Sequence, residues 1–197
     1  MQAVGMKQAA LPTSGRVRII GGRLRGSKLE VSVAAGLRPT PDRLRETLFN
    51  WLTPWIEGAR CLDLFAGTGA LGIEALSRGA GEVVFVERDA VLVAALRANL
   101  ERLKVVAEVA QGAALSWLQA PARPFDIVFL DPPFADDLWL PSIEALQRSP
   151  WLAPAALVYV ESSREAPPRL PSPWTLWRES RVGAVAGALY RRMPGSP

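Results

Sequence analysis

A glycine-rich segment around residue 69 separates an apolar, β-like run from a helical pattern. The run CLDLF contains Asp63, and Gly67, Gly69 and Gly72 follow it with the spacing G-x-G-x-x-G. Glycines let the backbone turn sharply and approach a ligand, and the N-terminus of a helix presents free amides. Glu87 ends the next β-like run, where an acid can bind both hydroxyls of a ribose. The combination predicts a site for an adenosine-containing cofactor, either NAD or S-adenosylmethionine, and the alternative is a tight structural turn.

A second motif, Asp131-Pro132-Pro133-Phe134, follows the apolar run FDIVFL. Ligands of open α/β sheets bind at the carboxyl ends of such parallel strands. The two prolines extend the loop and remove two amide donors, which leaves the Asp131 carboxylate and nearby carbonyls as acceptors. With Phe134 as a flat apolar face, these acceptors suit a planar base that carries an exocyclic amino group and has left its stack. The motif therefore favours S-adenosylmethionine over NAD, unless Pro-Pro only ends the strand and Phe134 packs in the core.

The composition excludes several other kinds of site. The chain has 197 residues, 49% hydrophobic and 21% charged, so it can bury the core of one globular domain. It contains no histidine, which excludes imidazole bases, Ser-His-Asp triads and the commonest transition-metal ligand. Its one cysteine, Cys61, cannot form an intrachain disulfide, and we expect it to be buried. With no histidine and one cysteine, we expect no metal site. No run resembles a signal peptide or a membrane helix, so we expect a cytoplasmic protein.

Positive charge is concentrated near the N-terminus. Residues 1–49 contain nine basic and three acidic residues, a net charge of +6, whereas the whole chain carries +4. A basic segment joined to a nearly neutral body is typical of a protein that contacts phosphates on one side. A solvated basic face is the alternative. The candidates for phosphate contacts are five arginines: Arg23, Arg25, Arg38, Arg43 and Arg45.

The first 56 residues predict a hairpin and one helix. Residues 1–15 show no periodicity and indicate a flexible leader. The runs RVRII and SKLEV predict a hairpin with Arg23 and Arg25 in its connection. Thr40 as N-cap and Pro41 in the first turn predict the start of an amphipathic helix over about 41–53. Its apolar stripe leaves Arg43 and Arg45 on the other side and comprises Leu44, Leu48, Trp51, Leu52 and Trp55.

From Arg60 onward, β-like runs alternate with helical patterns, which predicts a parallel sheet covered by helices on both faces. After a proline-rich link, the runs WTLWRESRVG and AVAGALYRR predict an antiparallel hairpin at the edge of this sheet. We therefore expect four parts: a leader over 1–15, a basic hairpin and helix over 16–56, a doubly wound α/β domain over 57–192 and a tail over 193–197.

These motifs together resemble the N-methyltransferase branch of the S-adenosylmethionine-dependent methyltransferases. Four further blocks narrow the resemblance, namely RIIGGRLRGSKLEV, LRPTPDRLRETLFNWL, CLDLFAGTGALGIEALSRGA and LVYVES. They are similar to the bacterial 16S rRNA (guanine-N2)-methyltransferase family called RsmD, over about residues 16–192. The leader before Arg16 takes no part in the resemblance.

The resemblance implies a Rossmann-like, seven-stranded, mostly parallel sheet whose last strand is antiparallel, with an N-terminal hairpin that helps to bind RNA. It implies methylation of a guanine N2 in 16S rRNA of a small ribosomal subunit that already carries proteins, with S-adenosylhomocysteine as the second product. We expect a monomer that contacts no membrane. The implied catalytic residues are Asp131, Pro132, Pro133 and Phe134. The implied cofactor-binding residues are Asp63, Phe65, Ala66, Gly67, Thr68, Gly69, Glu87, Arg88, Gly112 and Ala113.

Three other functions stay open on the sequence alone. A DNA adenine-N6 methyltransferase would use the same acceptors and aromatic ring, but the chain leaves little room for a target-recognition domain. A NAD-dependent dehydrogenase gives the DPPF motif no role and needs a substrate domain. A non-catalytic rRNA-binding assembly factor would have no need of Asp63, Glu87 and Asp131.

Overall fold

Nine strands and five helices build the described part of the chain. A computed structural model describes residues 13–32, 40–133, 136–167 and 170–192. The N-terminal part comprises β1 (Thr13–Arg18), β2 (Lys28–Ser32) and α1 (Asp42–Leu52). The remainder comprises, in chain order, β3 (Arg60–Asp63), α2 (Ala70–Ser77), β4 (Glu82–Glu87), α3 (Ala90–Arg102), β5 (Glu108–Gln111), α4 (Ala114–Trp117), β6 (Phe125–Leu130), α5 (Trp139–Arg148), β7 (Leu152–Ser163), β8 (Trp174–Val182) and β9 (Val185–Arg192). Within these ranges, no helix is long and apolar enough to cross a membrane.

A seven-stranded sheet forms the centre of the fold. Its strands lie in the order β5-β4-β3-β6-β7-β9-β8. The strands from β3 to β7 pair in parallel, whereas β9 runs antiparallel to both β7 and β8. The chain starts this sheet at β3, extends it on one side to β5 and returns to the other side with β6. The carboxyl ends of β3 and β6 therefore flank the crevice where such sheets bind ligands. The predicted Rossmann-like sheet with an antiparallel last strand is confirmed.

Helices cover both faces because successive side chains of a strand point to opposite sides. One hydrophobic cluster joins α1, α2 and α3 to strand residues such as Phe85 and Phe129. A second cluster joins α4 and α5 to strand residues such as Val84 and Val128. Cys61 lies fully buried in the first cluster, as expected, and burial raises the pKa of its thiol.

The N-terminal hairpin is fixed to the helices of the sheet domain through its backbone. The Ile20 and Gly21 amides each donate to the Glu74 carboxylate on α2, at 2.8 Å. The Asn99 side chain on α3 accepts from the Glu30 amide at 3.1 Å and donates to the Glu30 carbonyl at 3.0 Å. Apolar hairpin residues also belong to the first hydrophobic cluster. The predicted basic segment and the sheet domain therefore share one core.

The start of the chain differs from prediction in two respects. β1 begins at Thr13, so residues 13–15 belong to a strand and not to a flexible leader. The predicted leader residues 1–12 and the predicted tail lie outside the described residues. α1 has Pro41 as its N-cap, without a side-chain cap hydrogen bond. Thr40 is thus not the helix cap, because its hydroxyl bonds to carboxyls on the sheet instead.

Arg45 lies inside the fold and not on the polar side of α1. Its side chain is fully buried, and its guanidinium donates to the Arg18 carbonyl at 2.8 Å and pairs with Asp42 at 2.7 Å. The prediction that Arg45 contacts phosphate is therefore wrong. Because α1 packs against both β8 and β9, a wide arc of the helix is covered. The buried residues of α1 are Leu44, Arg45, Leu48, Phe49 and Leu52.

Candidate active site

The segment between β3 and α2 turns tightly at the carboxyl edge of the sheet. Gly67 and Gly69 have φ angles of 52° and 75°, which favour glycine, and Gly69 is the N-cap of α2. Asp63 is buried, and its Oδ2 accepts the Gly72 amide at 3.0 Å. Burial raises the pKa of Asp63 to about 7, against the opposing effect of this hydrogen bond. Asp63 therefore holds the turn in shape through Gly72.

Glu87 ends β4 beside this turn. Its Oε2 accepts the Gly67 amide at 2.8 Å, and its Oε1 accepts the Asp89 amide at 2.8 Å. The two bonds fix the carboxylate at the edge of the sheet. Each oxygen has a second lone pair, so it can accept a further hydrogen bond from a ligand. The first bond also joins the turn after β3 to the end of β4.

Gly112 and Ala113 connect β5 to α4 at the same edge. The Gly112 amide donates to the Glu87 carbonyl at 2.9 Å, and a Cβ built on Gly112 would meet no described atom within 4 Å. This leaves open space next to the end of β4. Arg88 is exposed, and its guanidinium pairs at 3.3 Å with Asp136, which follows β6. The structure thus brings the ends of β4, β5 and β6 to one edge.

Asp131, Pro132 and Pro133 follow β6, the neighbour of β3 in the sheet. Asp131 is half-buried, Pro132 is buried and Pro133 is exposed. Asp131 lies close enough to Asp63 for the charge of Asp63 to raise its pKa. The predicted catalytic carboxylate and the predicted cofactor turn therefore share one edge. Phe134 lies outside the described residues, and its stacking role stays a prediction.

Asp131 belongs to a largely buried polar cluster that was not predicted from the sequence. The register of β6 against β7 pairs Leu130 with Val160, so the next residues along the two chains, Asp131 and Glu161, follow side by side. The Thr40 side chain forms a hydrogen bond with each of these carboxyls. The Tyr159 hydroxyl donates to Glu161 Oε2 at 3.2 Å. We call Thr40, Asp131, Tyr159 and Glu161 the carboxyl cluster.

The two acids of the carboxyl cluster are harder to ionise than ordinary carboxyls. Burial, followed by the charge of Glu161, raises the pKa of Asp131 well above its usual value. Burial also raises the pKa of Glu161 to about 7, although Thr40, Tyr159 and Arg45 act against this shift. Because adjacent buried carboxyls resist ionising together, ionisation of either acid makes ionisation of the other less favourable.

Sequence signals for the carboxyl cluster exist but are weak. Glu161 is an acid inside the apolar run LVYVES, and a buried acid needs hydrogen-bond partners. Thr40 lies in the block LRPT, and its position before a helix favours its interpretation as a helix N-cap. No spacing rule connects residue 40 with residue 131. In the described ranges, no group of three or more His, Cys, Asp or Glu residues could hold a metal ion.

The remaining candidate arginines lie on the surface or outside the described residues. Arg23 and Arg25 are exposed in the connection between β1 and β2, and Arg43 is exposed on α1. Arg38 lies outside the described residues. The Arg23 amide donates to the Ser77 carbonyl at 2.8 Å, so the backbone that carries these side chains is fixed to α2.

The chain matches known proteins along nearly its whole length. The family model named "Conserved hypothetical protein 95" matches residues 17–191. The ribosomal RNA small subunit methyltransferase D of Escherichia coli (strain K12) is 49% identical over 189 residues, 95% of this chain and 96% of that protein. The chain belongs to the RsmD family. A second RsmD relative, from Haemophilus influenzae, is 47% identical over 94% of this chain and 100% of its own length.

Solved structures share the fold of this RsmD chain. The Escherichia coli protein yhhF superimposes with a TM-score of 0.83 at 49% identity, covering 92% of this chain and all of that one. SMU.776, solved in complex with SAH, has a TM-score of 0.69 at 14% identity, which shows a common fold alone. The family predicted from the sequence blocks is confirmed.

Proposed function

We propose that the protein transfers a methyl group from S-adenosylmethionine to the exocyclic N2 of a guanine in 16S rRNA. The observation that carries the proposal is the position of Asp131 and Pro132 at the carboxyl end of β6, on the same edge as the glycine turn and Glu87. Family membership supports a substrate in small-subunit rRNA, because relatives at 47% and 49% identity carry that name. The product is N2-methylguanosine.

The residues at the ends of β3, β4 and β5 fit S-adenosylmethionine. The fixed Glu87 carboxylate has lone pairs for the two ribose hydroxyls. The open space beside Gly112 suits the adenine ring, with the Ala113 amide next to it. The rest of the cofactor would lie against the turn between β3 and α2, and Arg88 follows Glu87 at the same edge. The turn comprises Phe65, Ala66, Gly67, Thr68 and Gly69. When bound, the cofactor supplies an electrophilic methyl group.

Asp131 and Pro132 prepare the amino group of guanine for attack. The N2 lone pair is delocalised into the ring, which makes N2 a weak nucleophile. Hydrogen bonds from the amino group to the Asp131 carboxylate and the Pro132 carbonyl bend N2 toward tetrahedral geometry. Transfer of the methyl group would give N2 a positive charge, and the Asp131 carboxylate is placed to accept the N2 proton that removes it. Alignment provides much of the rate, and no histidine base is needed.

The base must leave its stack to reach this edge, and Phe134 is the proposed platform for it. The exposed Arg23, Arg25 and Arg43, together with Arg38, are the proposed phosphate contacts. We further propose that the substrate is a small subunit that already carries proteins, that the enzyme acts as a cytoplasmic monomer, and that it uses no metal.

Nucleoside analysis after methyl transfer tests this function. The protein is incubated with labelled S-adenosylmethionine and, in parallel, with immature small subunits, naked 16S rRNA and duplex DNA. We expect N2-methylguanosine in the subunit or its RNA. N6-methyladenosine in DNA would support the DNA methyltransferase instead, and no transfer to any substrate would support a binding role.

A further inference from the structure

We propose that Thr40 and Glu161 are positioning residues for Asp131, and that the bridged pair of carboxyls receives the proton that leaves the guanine amino group. The proposal rests on the proposed methyl transfer and adds two residues to it. As the N2–C bond forms and the C–S bond breaks, the N2 proton moves to the ionised oxygen of the pair. The pair returns that proton to solvent after the product leaves.

The two carboxyls are placed for different tasks. Asp131 is half-buried at the edge of the sheet, whereas Glu161 is only 3% exposed. Glu161 is fixed by the Tyr159 hydroxyl at its side chain and by the Trp139 indole, which donates to its carbonyl at 2.9 Å. Only Asp131 can therefore touch the substrate, and Glu161 acts through it.

Thr40 determines how the pair shares its proton. A hydroxyl has one hydrogen to donate and lone pairs to accept with. It bonds two carboxyls best when it donates to the ionised one and accepts from the protonated one. Thr40 bonds both Asp131 and Glu161, and it is itself buried at 5% exposure. The arrangement favours the singly protonated pair, which offers the substrate one strong acceptor and has room for one more proton.

Charged groups on the neighbouring elements influence the pH range over which Asp131 and Glu161 ionise. Asp63 on β3 faces Asp131 and disfavours its ionisation. Arg45 on α1 favours the ionisation of Glu161. Two of its guanidinium nitrogens, Nε and Nη1, have no hydrogen-bond partner among the described residues, and its Nη2 is bound to Asp42. Arg45 therefore acts on the pair through its field.

Two substitutions should move the pH dependence in opposite directions. Thr40→Val removes a hydrogen bond that lowers the pKa of Asp131. The acidic limb of the profile of kcat against pH should therefore move to higher pH by about one unit. Glu161→Gln removes a neighbouring negative charge, so the limb should move down by about one unit. Thr40→Ser keeps the hydroxyl and should restore the limb of the natural protein. KM for RNA should stay within about twofold, since neither side chain contacts the substrate.

Thr53→Val is the matched control, because Thr53 is exposed beyond α1 and its hydroxyl only donates to the Phe49 carbonyl. Titration of the Asp131 and Glu161 carboxyl carbons by NMR, in protein without cofactor or RNA, measures the pair directly. We expect two coupled steps, displaced upward in Thr40→Val. Independent titration of the two acids, or an equal loss of kcat at every pH without a displaced limb, would overturn the proposal. Should the natural protein not methylate rRNA, the proposed function fails, while the NMR titration still decides whether the pair exists.

Discussion

Replacing Glu74 by alanine tests how the N-terminal hairpin is held. Glu74 is fully buried, and it accepts the Ile20 and Gly21 amides at 2.8 Å each and the Arg78 guanidinium at 2.8 Å. The variant leaves all three donors without this acceptor. Because an unsatisfied buried group costs about 1–3 kcal/mol, we expect the free energy of unfolding to fall by about 3–5 kcal/mol.

Glu144 provides a matched control for this measurement. It also pairs with an arginine one turn later, Arg148 at 3.0 Å, but both side chains are exposed. Since an exposed pair contributes about 0–1 kcal/mol, Glu144→Ala should lower the free energy of unfolding by less than about 1 kcal/mol. Urea denaturation followed by circular dichroism measures both variants. If Glu74→Ala costs no more than Glu144→Ala, the carboxylate does not anchor the hairpin.

Three further predictions concern the hairpin and the turn. Gly22→Ala should destabilise the fold more than Gly26→Ala. Both glycines have positive φ, but a Cβ would meet the Ser77 carbonyl, at 1.8 Å, only at position 22. Equal urea denaturation curves for the two variants would contradict the close contact between the hairpin and α2. Asp63→Asn should flatten the pH dependence of unfolding. The raised pKa of Asp63, about 7 instead of 3.8, makes the folded state hold a proton that the unfolded chain releases, so stability falls as pH rises between about 4 and 7. Urea denaturation at pH 5 and pH 7 gives the change in the free energy of unfolding for both proteins. An equally large fall in the variant would argue against a raised pKa of Asp63. Replacing Arg23 and Arg25 by alanine should weaken RNA binding and its salt dependence, and an unchanged slope of log Kd against log salt would remove the hairpin from the interface.

The architecture of the sheet domain was predictable because it depends on local patterns. Apolar runs of four to six residues alternate with helical spacing, and right-handed parallel connections leave few ways to order such strands. The glycine spacing located the turn, and Glu87 lay where a strand end must place it. The insertion of β9 between β7 and β8 was not predictable, since a hairpin at an edge can place either strand next to the sheet.

The buried face of α1 was not predictable from its apolar stripe. The sequence suggested a stripe that included Trp55, whereas the structure rotates the buried arc toward Arg45 and leaves Trp55 38% exposed. An arginine is normally assigned to solvent, and the contacts with the Arg18 carbonyl and Asp42 help to compensate the burial of Arg45.

The carboxyl cluster was missed because its members are distant in the chain. Thr40 precedes α1, Asp131 follows β6 and Glu161 lies within β7, and only tertiary packing brings them together. A polar residue before a helix favours the reading of a cap, which depends on local sequence alone. The same limit applies to Glu74, whose helical position gave no sign that two backbone amides of the hairpin would bind it.

Methyl transfer by Asp131→Ala, measured beside cofactor binding, tests the central claim most directly. Single-turnover transfer of labelled methyl to small-subunit RNA is compared between the natural protein and the variant, and calorimetry gives the Kd for S-adenosylmethionine in both. The account predicts that transfer falls by about 100-fold or more while this Kd stays within about twofold, because Asp131 acts on the guanine and not on the cofactor. Transfer by Asp131→Ala at the rate of the natural protein would contradict the account.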